Sequence, residues 1–123
     1  MLPRRTVADH VGDPRHAGPL EGAALVGEAA GGDRLVVRVG LWLDEQGRIA
    51  RARYRATTCA SLIAYAEAAC ALAEAGEDVS LGPERVRRAV AGVHPIHHDR
   101  AELVALALSR ALARRPVARG AST

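Results

Sequence analysis

Cys59 and Cys70 bracket the stretch "CASLIAYAEAAC", and three of the five histidines crowd into "HPIHHD" as His94, His97 and His98, with Asp99 next in the chain. Thiolate, neutral imidazole and carboxylate are the donors that zinc and iron accept. The two thiols cannot serve each other. Eleven residues apart on a helix, they stand about 16 Å apart along the axis, whereas a disulfide needs Cα atoms within about 7 Å. Their settings also differ. Cys59 lies where a strand gives way to a helix, and a helix start offers unpaired N–H groups and the positive end of the macrodipole, which favour a thiolate. Cys59 is therefore read as reactive or ligating. Cys70, in mid-helix, is read as packing. The "HPIHHD" run has two readings: part of a metal site built from His97, His98 and Asp99, or a polar loop whose Asp99 caps the following helix. Asp33, beside two glycines in "AAGGDR", is the third candidate, and turn chemistry is its plainer explanation. There is no P-loop, nucleophile elbow or dinucleotide fingerprint, and no general-base pair, so an enzyme with its own turnover is not expected.

These residues need elements to place them. "RRTVADHV" (4–11) predicts a short helix, broken by "GDPRHAG". "ALVGEAAGGD" (24–33) predicts a strand running into a loop, and "RLVVRVGLWL" (34–43) a second strand. After the turn "DEQG", "RIARARYRAT" (48–57) alternates apolar residues with Arg, the mark of a half-buried strand with one wet face. From Cys59 the period becomes helical. Cys59, Leu62, Ile63, Ala66, Ala69, Cys70 and Ala73 form one apolar stripe, with Thr58 at the N-cap position and Gly76 at the end. "GPERVRRAVAG" (82–92) predicts a second helix with Pro in its first turn, "VHPIHHD" a loop, and "AELVALALSRALARR" (101–115) a last helix capped by Asp99 and ended before Pro116. Strands followed by helices indicate an α+β fold. The expected organisation is one domain over residues 1–123, with a core of about 6–115 and a flexible tail of about 116–123.

Bulk properties narrow the classes. The 123 residues include only three aromatics, Trp42, Tyr54 and Tyr65, so the core must be built from Ala, Val, Leu and Ile. All 17 non-histidine basic residues are Arg, mixed among 14 acids for a formal charge of +3. No aromatics interleave the Arg runs, so a nucleic-acid partner is not expected. No apolar stretch approaches the roughly 18 residues of a membrane span. Two cysteines without a signal peptide fit reduced thiols in the cytoplasm.

The order of features resembles the iron–sulfur cluster assembly scaffolds of the NifU N-terminal/IscU type, over about residues 6–115. "ADHVGDPRHAG" is similar to that family's Asp-His…Asn/Asp-Pro-Arg-x-x-Gly motif. "VGEAAGGDRLVVRVGL" is similar to its Cys-Gly-Asp loop and following strand. "GRIARARYRATTCASLIAYAEA" is similar to the strand and Cys-x-Ser that open its long helix, and "VHPIHHDRAELVALALSRAL" to its last loop and helix. The resemblance implies a three-stranded antiparallel sheet with helices packed on it. It also implies a site where three cysteines and a nearby Asp or His hold zinc or a [2Fe–2S] cluster, with a cysteine desulfurase as sulfur-donating partner. Here the first ligand cysteine falls on Gly31, its Asp on Asp33 and the second cysteine on Cys59. The final His-Cys pair falls on Asp99 and Arg100, and a shift of one or two residues brings His97 or His98 there. One thiol of three remains. A mixed set of Asp33, Cys59, His97, His98 and Asp99 suits a single Zn²⁺ or Fe²⁺ better than a bridged cluster, and an inward Arg100 repels a cation. The expected function is thus a divergent assembly scaffold taking a single metal ion or sulfur at Cys59. The alternatives are an adaptor docking on a desulfurase or another assembly partner, and a mononuclear zinc or iron protein outside cluster assembly.

Overall fold

The computed structural model describes residues 4–77 and 82–115. The expected tail and Pro116 lie outside them. Thr6 opens α1 (Val7–Gly12) with a reciprocal capping box, Asp9 N–H donating to Thr6 Oγ1 and Thr6 N–H to Asp9 Oδ2. Three strands follow, β1 (Leu25–Ala30), β2 (Val36–Leu43) and β3 (Ile49–Ala56), paired antiparallel in the order β1-β2-β3. Then come α2 (Ala60–Glu74), α3 (Pro83–Arg88), a single 3₁₀ turn (Pro95–His97) and α4 (Asp99–Leu112). This is the α+β arrangement expected, a small antiparallel sheet carrying helices on one face.

The alternation in β3 does what a period of two requires. Ala52 and Tyr54 point into the core, while Arg51 and Arg55 are exposed. Val37, Val39 and Leu41 of β2 face the same way as Leu25 and Ala29 of β1. Against them pack Leu62, Tyr65 and Cys70 of α2 and Val104 and Leu108 of α4. With so few aromatics the layers must approach closely. At Gly27 a Cβ would collide with the α4 backbone at Ala107 and Ala111, so only glycine lets that helix lie on β1.

Four local expectations need correction. The N-cap of α2 is Cys59, which makes no side-chain cap, and not Thr58. Asp99 lies inside the first turn of α4, whose N-cap is His98. Shifts of one residue are ordinary at helix ends, where the terminal turns fray. The helix expected over 82–92 stops at Arg88, because the chain then bends to pair Ala91 with Thr6. The loop "VHPIHHD" contains the 3₁₀ turn, held by His94 Nδ1 accepting from Ile96 N–H at 3.2 Å. Gly76 does close α2, in the left-handed conformation at φ +94°.

The apolar stripe of α2 is also too narrow a description. Leu62, Ala66, Ala69, Cys70 and Ala73 are buried as expected, but so are Ser61, Ala64, Tyr65, Glu67 and Ala68. The helix touches β3, α1, α3 and α4, which leaves it almost no wet face.

Candidate functional site

Three segments far apart in sequence meet around Cys59. The first is the turn from β1 to β2, closed by Gly31 N–H donating to Leu35 O at 2.9 Å. In it Asp33 and Arg34 are both left-handed, at φ +58° and +60°, a conformation non-glycine residues adopt at a cost of about 1–3 kcal/mol. Thr57 ties this turn to the chain just ahead of Cys59. Its hydroxyl accepts from Val36 N–H at 2.8 Å and lies 3.3 Å from Arg34 O.

The second segment is the start of α2, where half-buried Cys59 supplies the first helical acceptor, its carbonyl taking Ile63 N–H at 2.9 Å. The third is the start of α4. There Arg100, whose side chain is 14% exposed, donates to Asp99 Oδ1 at 2.8 Å. Its charged form is favoured first by that hydrogen bond and further by Cys59 beside it. One turn along α4, Leu103 packs toward Gly31, where a Cβ would meet its Cδ1 at 3.3 Å. The turn, the thiol and the guanidinium therefore share one end of the molecule.

The histidines divide by role. His97 is fixed by Ser61, the buried residue two after Cys59, with Oγ 2.9 Å from Nδ1. His94 is spent on its own turn, and His98 is the half-buried N-cap of α4. Among the described residues no group of three or more His, Cys, Asp or Glu side chains is arranged to hold a metal ion.

The NifU-like N terminal domain family matches residues 3–117. The chain belongs to this family. The family is one of iron–sulfur cluster assembly scaffolds and is generally not catalytic. Among the described residues no helix is long and apolar enough to cross a membrane. The residues of this NifU-like domain do not fit a cluster of the usual kind. Clusters are held mainly by thiolates, whereas Cys59 is here the one thiol at the site and a guanidinium stands against it.

A second polar cluster in the NifU-like domain escaped the sequence reading. His16, in the segment after α1, donates its backbone N–H to Glu67 Oε2 at 2.7 Å, and its ring nitrogens lie 3.0 Å from Glu67 Oε1 and 3.0 Å from Glu74 Oε1. Glu74 also accepts from Ala52 N–H at 2.8 Å and from Arg53 at 2.9 Å. Both ring nitrogens face carboxylates, which favours the imidazolium form of His16. The Glu67 hydrogen bond raises its pKa against the opposing effect of burial, and Glu74 adds to the rise. Burial pushes Glu67 and Glu74 up, but His16 and the backbone donors carry both below their ordinary values. His10 is buried nearby with neither ring nitrogen bonded, and burial lowers its pKa. The only signal in the sequence was a Glu in the middle of an otherwise apolar helix.

The two thiols are expected to react differently. Cys59 should be alkylated in the native protein. Cys70, 1% exposed with its pKa pushed up by burial, should react only on unfolding. Cys70→Ser should cost about 1–3 kcal/mol by placing a hydroxyl in apolar packing. Mass spectrometry finding Cys70 the faster thiol would reverse the assignment of the site.

Proposed function

We propose that this chain accepts sulfur at Cys59 in cluster assembly and does not itself hold a thiolate-ligated cluster. The observation that carries this reading is that Cys59 is the single thiol at the site, with Arg100 near enough for its charged form to be favoured by that thiol. Near the single site thiol, a fixed positive charge repels iron or zinc and attracts an anionic sulfur species. In the transfer step, the Cys59 sulfur attacks the terminal sulfur of a donor persulfide. A Cys59 S–S bond forms, the donor S–S bond breaks, and the donor leaves as a thiolate. The step is redox-neutral, with Arg100 beside the negative persulfide. A cysteine desulfurase is the donor class the family resemblance supplies, and the cytoplasm is the compartment that keeps both thiols reduced.

His97, held by Ser61, and His98 flank the site, with Asp33 on the neighbouring turn. A single zinc or iron ion there would need Asp33, Cys59, His97, His98 and Asp99 drawn together against Arg100. Incubating the protein with a desulfurase and cysteine, followed by mass spectrometry, tests the proposal. One added sulfur on Cys59 is expected, absent in Cys59→Ser and reduced in Arg100→Ala but restored in part by Arg100→Lys. Zinc calorimetry is expected to give the same weak binding in wild type and Cys59→Ser. Zinc affinity that depends on Cys59, with no sulfur transferred, would replace this proposal by the mononuclear metal protein.

A further inference from the structure

β3 forms one edge of the sheet, and its outward backbone groups fall at Ala52, Tyr54 and Ala56. The first two positions are engaged. Ala52 N–H donates to Glu74 at 2.8 Å. Tyr54 N–H donates to His16 O at 3.0 Å and Tyr54 O accepts from Gly18 N–H at 3.2 Å, which lays residues 16–18 alongside β3 in parallel. At Ala56 the pairing stops, and no partner for its N–H or C=O is found among the described residues. The open edge faces a groove of about 390 Å³ whose apolar walls include Val11, Pro14, Ala17 and Ile63. Val11 is 41% exposed, large for an apolar side chain. Arg55 stands on the rim, exposed, and pairs with no acid among the described residues. The groove leads to the site, because Ile63 lies one helical turn beyond Cys59 and Ala56 three residues before it.

We propose that this groove receives an extended segment of a partner protein. The segment pairs with Ala56 on the free edge of β3, seats an apolar side chain between Val11, Pro14 and Ile63, and sets a carboxylate on Arg55. Backbone pairing at a sheet edge supplies affinity, and alternate side-chain pockets supply selectivity. Arg55, paired with no acid among the described residues, selects an acidic residue over a basic one. Naming this partner as the sulfur donor rests on the reading of Cys59 above, since a segment seated there ends beside that thiol.

The probe is an acetylated hexapeptide of alternating valine and serine ending in glutamate, titrated into the ¹⁵N-labelled full chain. Amide shifts are expected at Ala56, Val11 and Ile63, with slowed hydrogen exchange at Ala56. Affinity should fall about tenfold for the same peptide ending in lysine, and Arg55→Glu should reverse that preference. Equal binding of the two peptides, shifts confined to other surfaces, or no shift at all would overturn the groove. The donor assignment is read separately. Sulfur transfer from a desulfurase should slow in Val11→Asp and Arg55→Glu, while transfer from a small-molecule persulfide stays unchanged. Unchanged transfer from both donors removes the groove and leaves Cys59 as acceptor. No transfer from either, even in wild type, removes the sulfur reading while the peptide titration still decides the groove.

Discussion

Replacing Gly31 and Arg100 together by cysteine is expected to turn a chain that holds no stable cluster into one that does. By the family resemblance these are the two positions where ligand thiols are missing, and they lie on the two segments that meet Cys59. The backbone accepts both changes. A Cβ at residue 31 would meet Leu103 Cδ1 at 3.3 Å, the far end of a flexible side chain that can shift. Loss of Arg100 leaves Asp99 62% exposed and therefore solvated. The double variant offers three thiolates near Asp33 and removes the charge that repels iron. Anaerobic reconstitution with iron, sulfide and thiol should give [2Fe–2S] absorbance that survives gel filtration in the double variant only, with wild type and either single variant nearly colourless. A stable cluster on wild type would show that His97 or His98 supplies imidazole ligands, as in Rieske centres. A folded but colourless double variant would mean that the three positions do not converge as the structure places them.

His16→Ala should be among the most destabilising single substitutions in the chain, costing about 3–5 kcal/mol. It removes the imidazolium and strands Glu67, which is 1% exposed, as a buried carboxylate without its counter-charge. His16→Leu combined with Glu67→Leu should recover most of that loss, since a buried pair replaced by apolar groups is often neutral. Urea unfolding measures both. The same cluster sets a pH dependence. The raised pKa of His16 means its contribution is complete below the unfolded value of about 6.5 and disappears as pH climbs through the folded value. The lowered Glu67 and Glu74 contribute fully above their unfolded value of about 4.3 and lose that contribution as pH falls through their folded values. Stability should therefore peak on the mildly acidic side of neutrality and decline toward alkaline pH, and the alkaline decline should be absent in the double leucine variant. An equal alkaline decline in both proteins would place the titrating group elsewhere.

The hairpin was legible in the sequence because a strand's faces are set by a period of two, which "RIARARYRAT" carries in its own residues. The start of the long helix, to within one residue, and the burial of Cys70 were legible for the same local reason, a switch to helical spacing. What tertiary structure decided rests on contacts between distant residues. Nothing local assigned Glu67 a partner, and His16, 51 residues earlier, folds back onto it. Ser61 acquired its role from His97, 36 residues later. Arg100 read as a helix-start residue of unknown direction, and only the placing of α4 beside the start of α2 set its charge against Cys59. Local pattern fixes which face of an element is dry, whereas which polar groups meet across that dry interior depends on how the elements are brought together.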